Sequence, residues 1–330
     1  MRVTSILFAA LVFGLFSCSG EDPIPVDTYF QGKSIYLSSD IDGKHQIYRW
    51  TPDSLVRITF DLDYNFWWPR CQPNGDRLIC FRGPLMNGLS TSTLWRFKKD
   101  GSQGEMLIDP NDYGWFGMTS ANYSPDGRWI ILAAEVMDSL IGDERWHLFV
   151  CDSLGDNPKR ITPWGRMYYD PSFSKSTPFG IVYSAWPDGT LEPFTYNIRW
   201  SLEVHTAKID TSVWQLVDEV RLTDDDVLNS TPMQTSNGQR IVFSFVEDQI
   251  NPSTKTNVHS VWTNGTENVQ LLRDGRANYH PCWTPDDQNI VFQRGEFGLY
   301  SLYAIRSTGG GLVRILGDDS HNFVQPYVED

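Results

Sequence analysis

The 330-residue chain is short of positive charge: 27 Lys and Arg stand against 41 Asp and Glu, a formal net charge of −14. A nucleic-acid binder needs a basic stripe to displace phosphate counterions, and none is visible, so that class is excluded. The acidity mainly confers solubility. Long apolar runs are also lacking. The stretch from Ile6 to Phe16 is shorter than the ~20 apolar residues that cross a bilayer as a helix. Cysteine is scarce, with 5 in all. There is no CxxC pair and no Cys/His spacing of the kind that holds zinc. Cys71 and Cys80 flank one hairpin and could lie diagonally on one face, but buried free thiols are the commoner state in a fold with its own core. G-x-S-x-G and Gly-rich phosphate loops are absent, so there is no nucleophile or nucleotide signature. No amphipathic helical stretch stands out after residue 30, and no long linker divides the chain.

What is present begins with a leader. Met1-Arg2, the short apolar run and Leu15-Phe16-Ser17-Cys18 have the layout of a secretory signal. The last four residues resemble the bacterial lipobox, which implies a lipoprotein signal peptide over 1–17 and a lipid anchor on Cys18. Buried methylenes would then tie the protein to a membrane without spanning it. Residues 18–30 read as an acidic, proline-stiffened tether, with Glu21 and Asp22 followed by Pro23 and Pro25. The acidic patch after Cys18 also resembles the surface-export signals of Bacteroidetes lipoproteins. The expected location is therefore the outer membrane, on its periplasmic or cell-surface face. Residues 31–330 are expected to form one domain.

That domain is built from repeats. Cys71-Gln-Pro-Asn-Gly-Asp-Arg-Leu-Ile-Cys80, Tyr123-Ser-Pro-Asp-Gly-Arg-Trp-Ile-Ile-Leu132, Gln234-Thr-Ser-Asn-Gly-Gln-Arg-Ile-Val-Phe243 and Trp283-Thr-Pro-Asp-Asp-Gln-Asn-Ile-Val-Phe292 are four copies; Phe173-Ser-Lys175 leading to Ile181-Val-Tyr183 is a degraded fifth. Proline presets a turn dihedral and Asn or Asp before Gly tolerates positive φ, so each copy reads as a hairpin. An apolar-aromatic pair follows (Ile47-Tyr48, Leu94-Trp95, Leu148-Phe149, Val261-Trp262, Leu302-Tyr303), then a second turn such as Asp100-Gly101, then a short strand such as Arg160-Ile-Thr162. Most copies carry a proline two residues before the first anchor: Pro69, Pro171, Pro232 and Pro281. The unit has four strands and a period of about 45–60 residues, the size of a propeller blade.

The SPDG hairpin, the apolar-aromatic strand, the DG turn and the closing Leu-Thr resemble the TolB-like, or WD40-like, propeller family from about residue 30 to the end. The resemblance implies an all-β, six-bladed β-propeller of four-stranded blades. Ser34–Leu37 enters past the hairpin of a first blade and Gln325–Val328 supplies only an opening strand, so strands from both termini are expected to close the ring without a free edge. The resemblance also places the strand before SPDG against the central channel, with the segments feeding that strand on one rim and the SPDG and DG turns on the other.

The feeding segments are aromatic, and aromatic-lined concavities are where ligands dock. The rim candidates are Trp67, Trp68, Trp115, Trp164, Tyr168, Tyr279, His280 and Phe323, each of which could instead pack between blades. The longest rim loops are expected at 82–93, 134–146, 184–204 and 245–258. His45, His147 and His259 read as structural, and Asp224-Asp225-Asp226 as a solvated turn rather than a calcium site. The working expectation is a non-enzymatic binding or scaffold module for an envelope protein or glycan, with no cofactor. Peptidases with this propeller add a hydrolase domain and TolB adds an N-terminal α/β domain, and neither is recognised here. Oligogalacturonate lyases use a related propeller alone with a manganese ion, so the alternative is a metal-dependent polysaccharide lyase using His280, His321 and Gln325.

Overall fold

Each repeat folds into a twisted four-stranded antiparallel sheet, and six such sheets are arranged as blades around a central channel. The computed structural model describes residues 24–186, 201–225, 227–247, 255–296 and 298–329. The leader, Cys18 and the first part of the expected tether lie outside the described residues, as do 187–200 of the expected loop 184–204, 248–254 of the expected loop 245–258, and Asp226. Blades 1 to 5 run in chain order, with inner strands Asn65–Cys71, Gly117–Tyr123, Tyr168–Phe173, Leu228–Gln234 and Asn278–Trp283. Blade 6 is composite. Its inner strand, Phe323–Glu329, pairs antiparallel with Ser34–Ser39 from the other end of the chain, in the register Ile35 to Val328 and Ser39 to Phe323. The expected six blades and their closure by both termini are what the fold has.

The hairpins follow from local chemistry. In blade 2, Ser124 Oγ donates to Asp126 Oδ1 at 2.6 Å, and the Gly127 N–H donates to Ser124 O at 2.8 Å, with Gly127 at φ +68°. Asn74 and Asp287 take positive φ in the corresponding turns of blades 1 and 5. The DG turn has a second duty between blades. A Cβ on Gly101 (φ +87°) would sit 2.3 Å from Ile58 O of blade 6, and one on Gly155 (φ +85°) 2.6 Å from Leu107 O of blade 1. Glycine is therefore required by close approach as well as by φ.

The core lies between blades, where apolar faces of neighbouring sheets meet. Two expectations are corrected here. Residues 24–30 are not a solvated tether: Val26–Tyr29 form one helical turn, and Ile24 and Phe30 are buried against blades 5 and 6, with Phe30 edge-on to Trp50 at 5.7 Å. Burying such a ring contributes roughly 1.5–3 kcal/mol, which outweighs the solvation of so short a segment. The stretch 134–146 is mostly strand, because Trp129–Asp138 and Asp143–Asp152 pair along their full length. The four cysteines among the described residues are all buried free thiols, so Cys71 and Cys80 are not bridged.

Candidate functional site

Every inner strand is interrupted at one place. In blades 1 to 5 the pairing register shifts across two residues, Trp68-Pro69, Ser120-Ala121, Asp170-Pro171, Thr231-Pro232 and His280-Pro281; in blade 6 it shifts across Gln325-Pro326. A proline cannot donate to the ladder, so a bulge is the way an inner strand accommodates it. The first residue of each pair is left-handed in all six blades: φ is +59° at Trp68, +56° at Ser120, +47° at Asp170, +52° at Thr231, +52° at His280 and +55° at Gln325. None is glycine. Such conformations cost of order 1–3 kcal/mol each and persist only where the surroundings hold them.

The surroundings here are the other members of the ring. Asp170 accepts from Ser120 Oγ at 2.6 Å and from the Thr231 N–H at 2.9 Å, linking blades 2, 3 and 4. Gln325 Oε1 accepts from the Trp68 N–H at 2.9 Å, linking blades 6 and 1. Gln293 Oε1 accepts from the Gln325 N–H at 2.8 Å and lies 2.9 Å from His280 Nδ1. The Trp68 indole donates to Ala121 O of blade 2 at 3.0 Å, and its ring meets His280 of blade 5 edge-on at 5.4 Å. Reaching both sides, it lies across the bore.

This collar stands between two unequal cavities, which share only Asp170, Thr231 and His280. On the side of the feeding segments is a mouth of about 540 Å³. Its lining is neutral and polar: Asn87, Gln293, Asn322 and Gln325 supply amides, Ser230, Thr231, Tyr279 and Tyr300 supply hydroxyls, and Asp170 supplies the one carboxylate. Burial lowers the pKa of His280, so it is neutral near pH 7; with its Nδ1–H donated to Gln293 Oε1, Nε2 is left as an acceptor. His45, expected to be structural, also borders this mouth, 3.0 Å from Ser38 Oγ. On the SPDG side is a much narrower cavity of about 80 Å³, lined by Trp68, Arg70 and Lys175 among others.

Most of the aromatic rim does not face solvent. Trp67, Trp68, Trp115, Tyr168 and Phe323 are buried. Trp67 stacks on Phe81, Trp115 packs against Phe149 at 4.7 Å, and Trp164 lies against His147 and beneath the Arg160 guanidinium. These rings bury more area between blades than a rim would offer them. Only Tyr279 and His280 of the eight candidates line the mouth. His321 is turned onto Asp318, with Nδ1 2.8 Å from Oδ2 and its pKa raised by that carboxylate. His280 and Gln325 meet through Gln293, but His321 does not join them, and no group of three His, Cys, Asp or Glu with metal-binding geometry occurs among the described residues. Asp224 pairs with Arg221 and Asp225 accepts from Asn229.

The rim carries a feature that aromatic content did not signal. Phe60, Leu62, Leu85, Leu89, Phe116, Met137 and Leu140 are exposed, Leu85 and Leu140 by 67% and 68%. All sit in feeding segments, in the loops after the second strand or, for Met137, at the end of that strand, in blades 1 and 2 at the mouth end of the channel.

No protein-family model matches the chain, and no curated protein matches it. Solved structures do. TolB from Acinetobacter baumannii superposes with a TM-score of 0.66 at 13% identity, over 91% of this chain and 67% of that one. A putative TolB from Agrobacterium tumefaciens gives 0.58 at 15% identity, over 86% of this chain and 88% of that one. Oligogalacturonate lyase from Vibrio parahaemolyticus gives 0.54 at 11%, over 88% and 76%. At such identities the likeness speaks for the fold, which binding modules and enzymes share. By that fold, the chain is a six-bladed β-propeller similar to those of the TolB structures.

Proposed function

We propose that the chain is a non-enzymatic protein-binding module of the bacterial envelope, whose partner seats on the rim of blades 1 and 2 and reaches into the wide mouth. The observation that carries this reading is the run of exposed Phe, Leu and Met side chains beside that mouth. Exposed apolar side chains gathered on one rim mark an interaction site, and a polar cavity next to them can fix register. The neutral amides of the mouth complement peptide groups, each able to give and accept. Sugar hydroxyls have the same capacity, so a glycan is the second reading; leucines and methionine on the rim favour a protein.

The face is also the available one if Cys18 carries a lipid. Tyr29 donates to Asp286 Oδ1 at 2.6 Å in the SPDG-type turn of blade 5, so the chain leaves the propeller on the side away from the mouth. An anchor there would present the mouth outward. The test is binding of the purified protein to envelope proteins and to a polysaccharide panel, compared with Leu85→Asp/Leu140→Asp and with Asn322→Ala. Loss of a protein partner in the leucine variant with an unchanged melting temperature is the expected result. Binding of a polysaccharide that the leucine variant retains and Asn322→Ala loses would favour the glycan. A partner that survives all of these changes would place the site elsewhere.

A further inference from the structure

The narrow cavity on the SPDG side contains a buried cation that forms no ion pair among the described residues. Arg70 is only 9% exposed. Its Nε donates to Asn122 Oδ1 at 2.9 Å and one Nη donates to Pro69 O at 2.7 Å, while the other Nη has no hydrogen-bond partner among the described residues. The guanidinium lies 4.1 Å from the centroid of the Trp68 ring and 5.5 Å from that of Tyr327, so aromatic faces rather than carboxylates surround it. Asp170 is the one carboxylate lining this cavity, and it is occupied by Ser120 and Thr231 and makes no ion pair with Arg70. Lys175, exposed at the same cavity, has no ion-pair partner either. Two uncommitted cations at one cavity stand out in a chain of net charge −14. Burial lowers the pKa of Arg70 by more than neighbours such as the Asp170 carboxylate raise it.

A buried charge is retained at low cost only when it is paired. Guanidinium suits oxoanions because its planar donors match two oxygens at once. The cavity holds about 80 Å³, room for a carboxylate or phosphate group with attendant water but not for a sugar ring or a folded segment. We propose that the SPDG end of the channel is a receptor for one small oxoanion, a carboxylate or phosphate group, bound by the free Nη of Arg70 with Lys175 at the entrance. The site is separated from the wide mouth by the Trp68 indole and does not depend on the function read from that mouth. Its ligand is either a free ion or the tip of an acidic side chain.

Calorimetric titration of the purified protein with inorganic phosphate, at constant ionic strength with chloride as the replacement, tests this. One saturable site is expected, weakened at least tenfold in Arg70→Gln, several-fold in Lys175→Gln and not at all in Lys208→Gln. Lys175 is exposed and forms no hydrogen bond or ion pair among the described residues, so its variant decides the matter if Arg70→Gln does not fold. A second titration uses the blocked tripeptide acetyl-Glu-Glu-Glu-amide. Competition between peptide and phosphate identifies an acidic side chain as a ligand source, and phosphate binding alone identifies the free ion. No saturable binding of either probe, or equal affinity in wild type and in the Arg70 and Lys175 variants, overturns the proposal.

Discussion

At the scale of single residues, the least forgiving positions are buried polar groups. His147 is fully buried on the second hairpin of blade 2, with Nε2 3.2 Å from Asp138 Oδ2 and Nδ1 3.0 Å from Thr162 Oγ1. Burial pushes its pKa down to about 4, chiefly through lost solvation and also through the nearby Arg160. The unfolded chain binds a proton at this site near pH 6.5, whereas the folded chain refuses it until about pH 4. Between those values the unfolded state carries more protons, so stability falls as pH falls, by on the order of 2–3 kcal/mol at the bottom of the window. Above about pH 7 the residue is neutral in both states and has no effect on this slope. The melting temperature of wild type should therefore drop on going from about pH 7.5 to about pH 4.5, and His147→Gln should drop less. Equal drops in the two proteins would show that the acid sensitivity lies elsewhere. That His147 is structural could be read from its place beside the apolar-aromatic strand. Its coupling to Asp138 could not, since the two meet across a hairpin whose length the local sequence leaves open.

At the scale of elements, the inner strands are the informative ones. Four of the six bulges are visible as X-Pro pairs ahead of a hairpin (Trp68-Pro69, Asp170-Pro171, Thr231-Pro232, His280-Pro281), Gln325-Pro326 repeats the pair in the last strand, and Ser120-Ala121 lacks the proline yet bulges alike. Proline within a strand signals a bulge. What it does not signal is that six left-handed residues form one ring, because each is held by partners from another blade. The composite blade is the element whose loss is most easily measured. Phe323–Glu329 joins Ser34–Ser39 on both sides of its bulge, and Glu329 forms an ion pair with Lys99 of blade 1. Deleting Gln325 to Asp330 removes most of that strand, exposes an edge and takes away one side of the collar. The variant should melt well below wild type or aggregate on refolding. An unchanged melting temperature would mean that the tail is a free end.

At the scale of the whole molecule, the two faces of the ring differ. One bears a wide neutral mouth beside exposed leucines, and the other short polar turns, a narrow cationic cavity and the packed residues 24–30. If Cys18 is lipidated, the second face is the one nearer the membrane. A Cys18→Ala variant should lose detergent partitioning and appear in the soluble fraction, with its propeller unchanged. Retention in the membrane fraction, with an unprocessed N-terminus in wild type, would rule out the anchor. No helix among the described residues is long and apolar enough to cross a membrane.

The sequence by itself determined the fold class, the strand count per blade and the closure by both termini. Those properties rest on short-range chemistry: turn residues that accept particular dihedrals, apolar strands of fixed period, and repeats that reveal the same unit many times. Only the tertiary structure decided which aromatics are core and which border the mouth. Trp67 and Tyr279 occupy equivalent segments and carry similar rings, yet one packs between blades and the other lines the cavity. The same holds for Arg70, an ordinary residue in its hairpin until Trp68, Asn122 and Tyr327 from three blades enclose it. Burial and pairing are sums over neighbours distant in sequence, so the local residue pattern does not carry them.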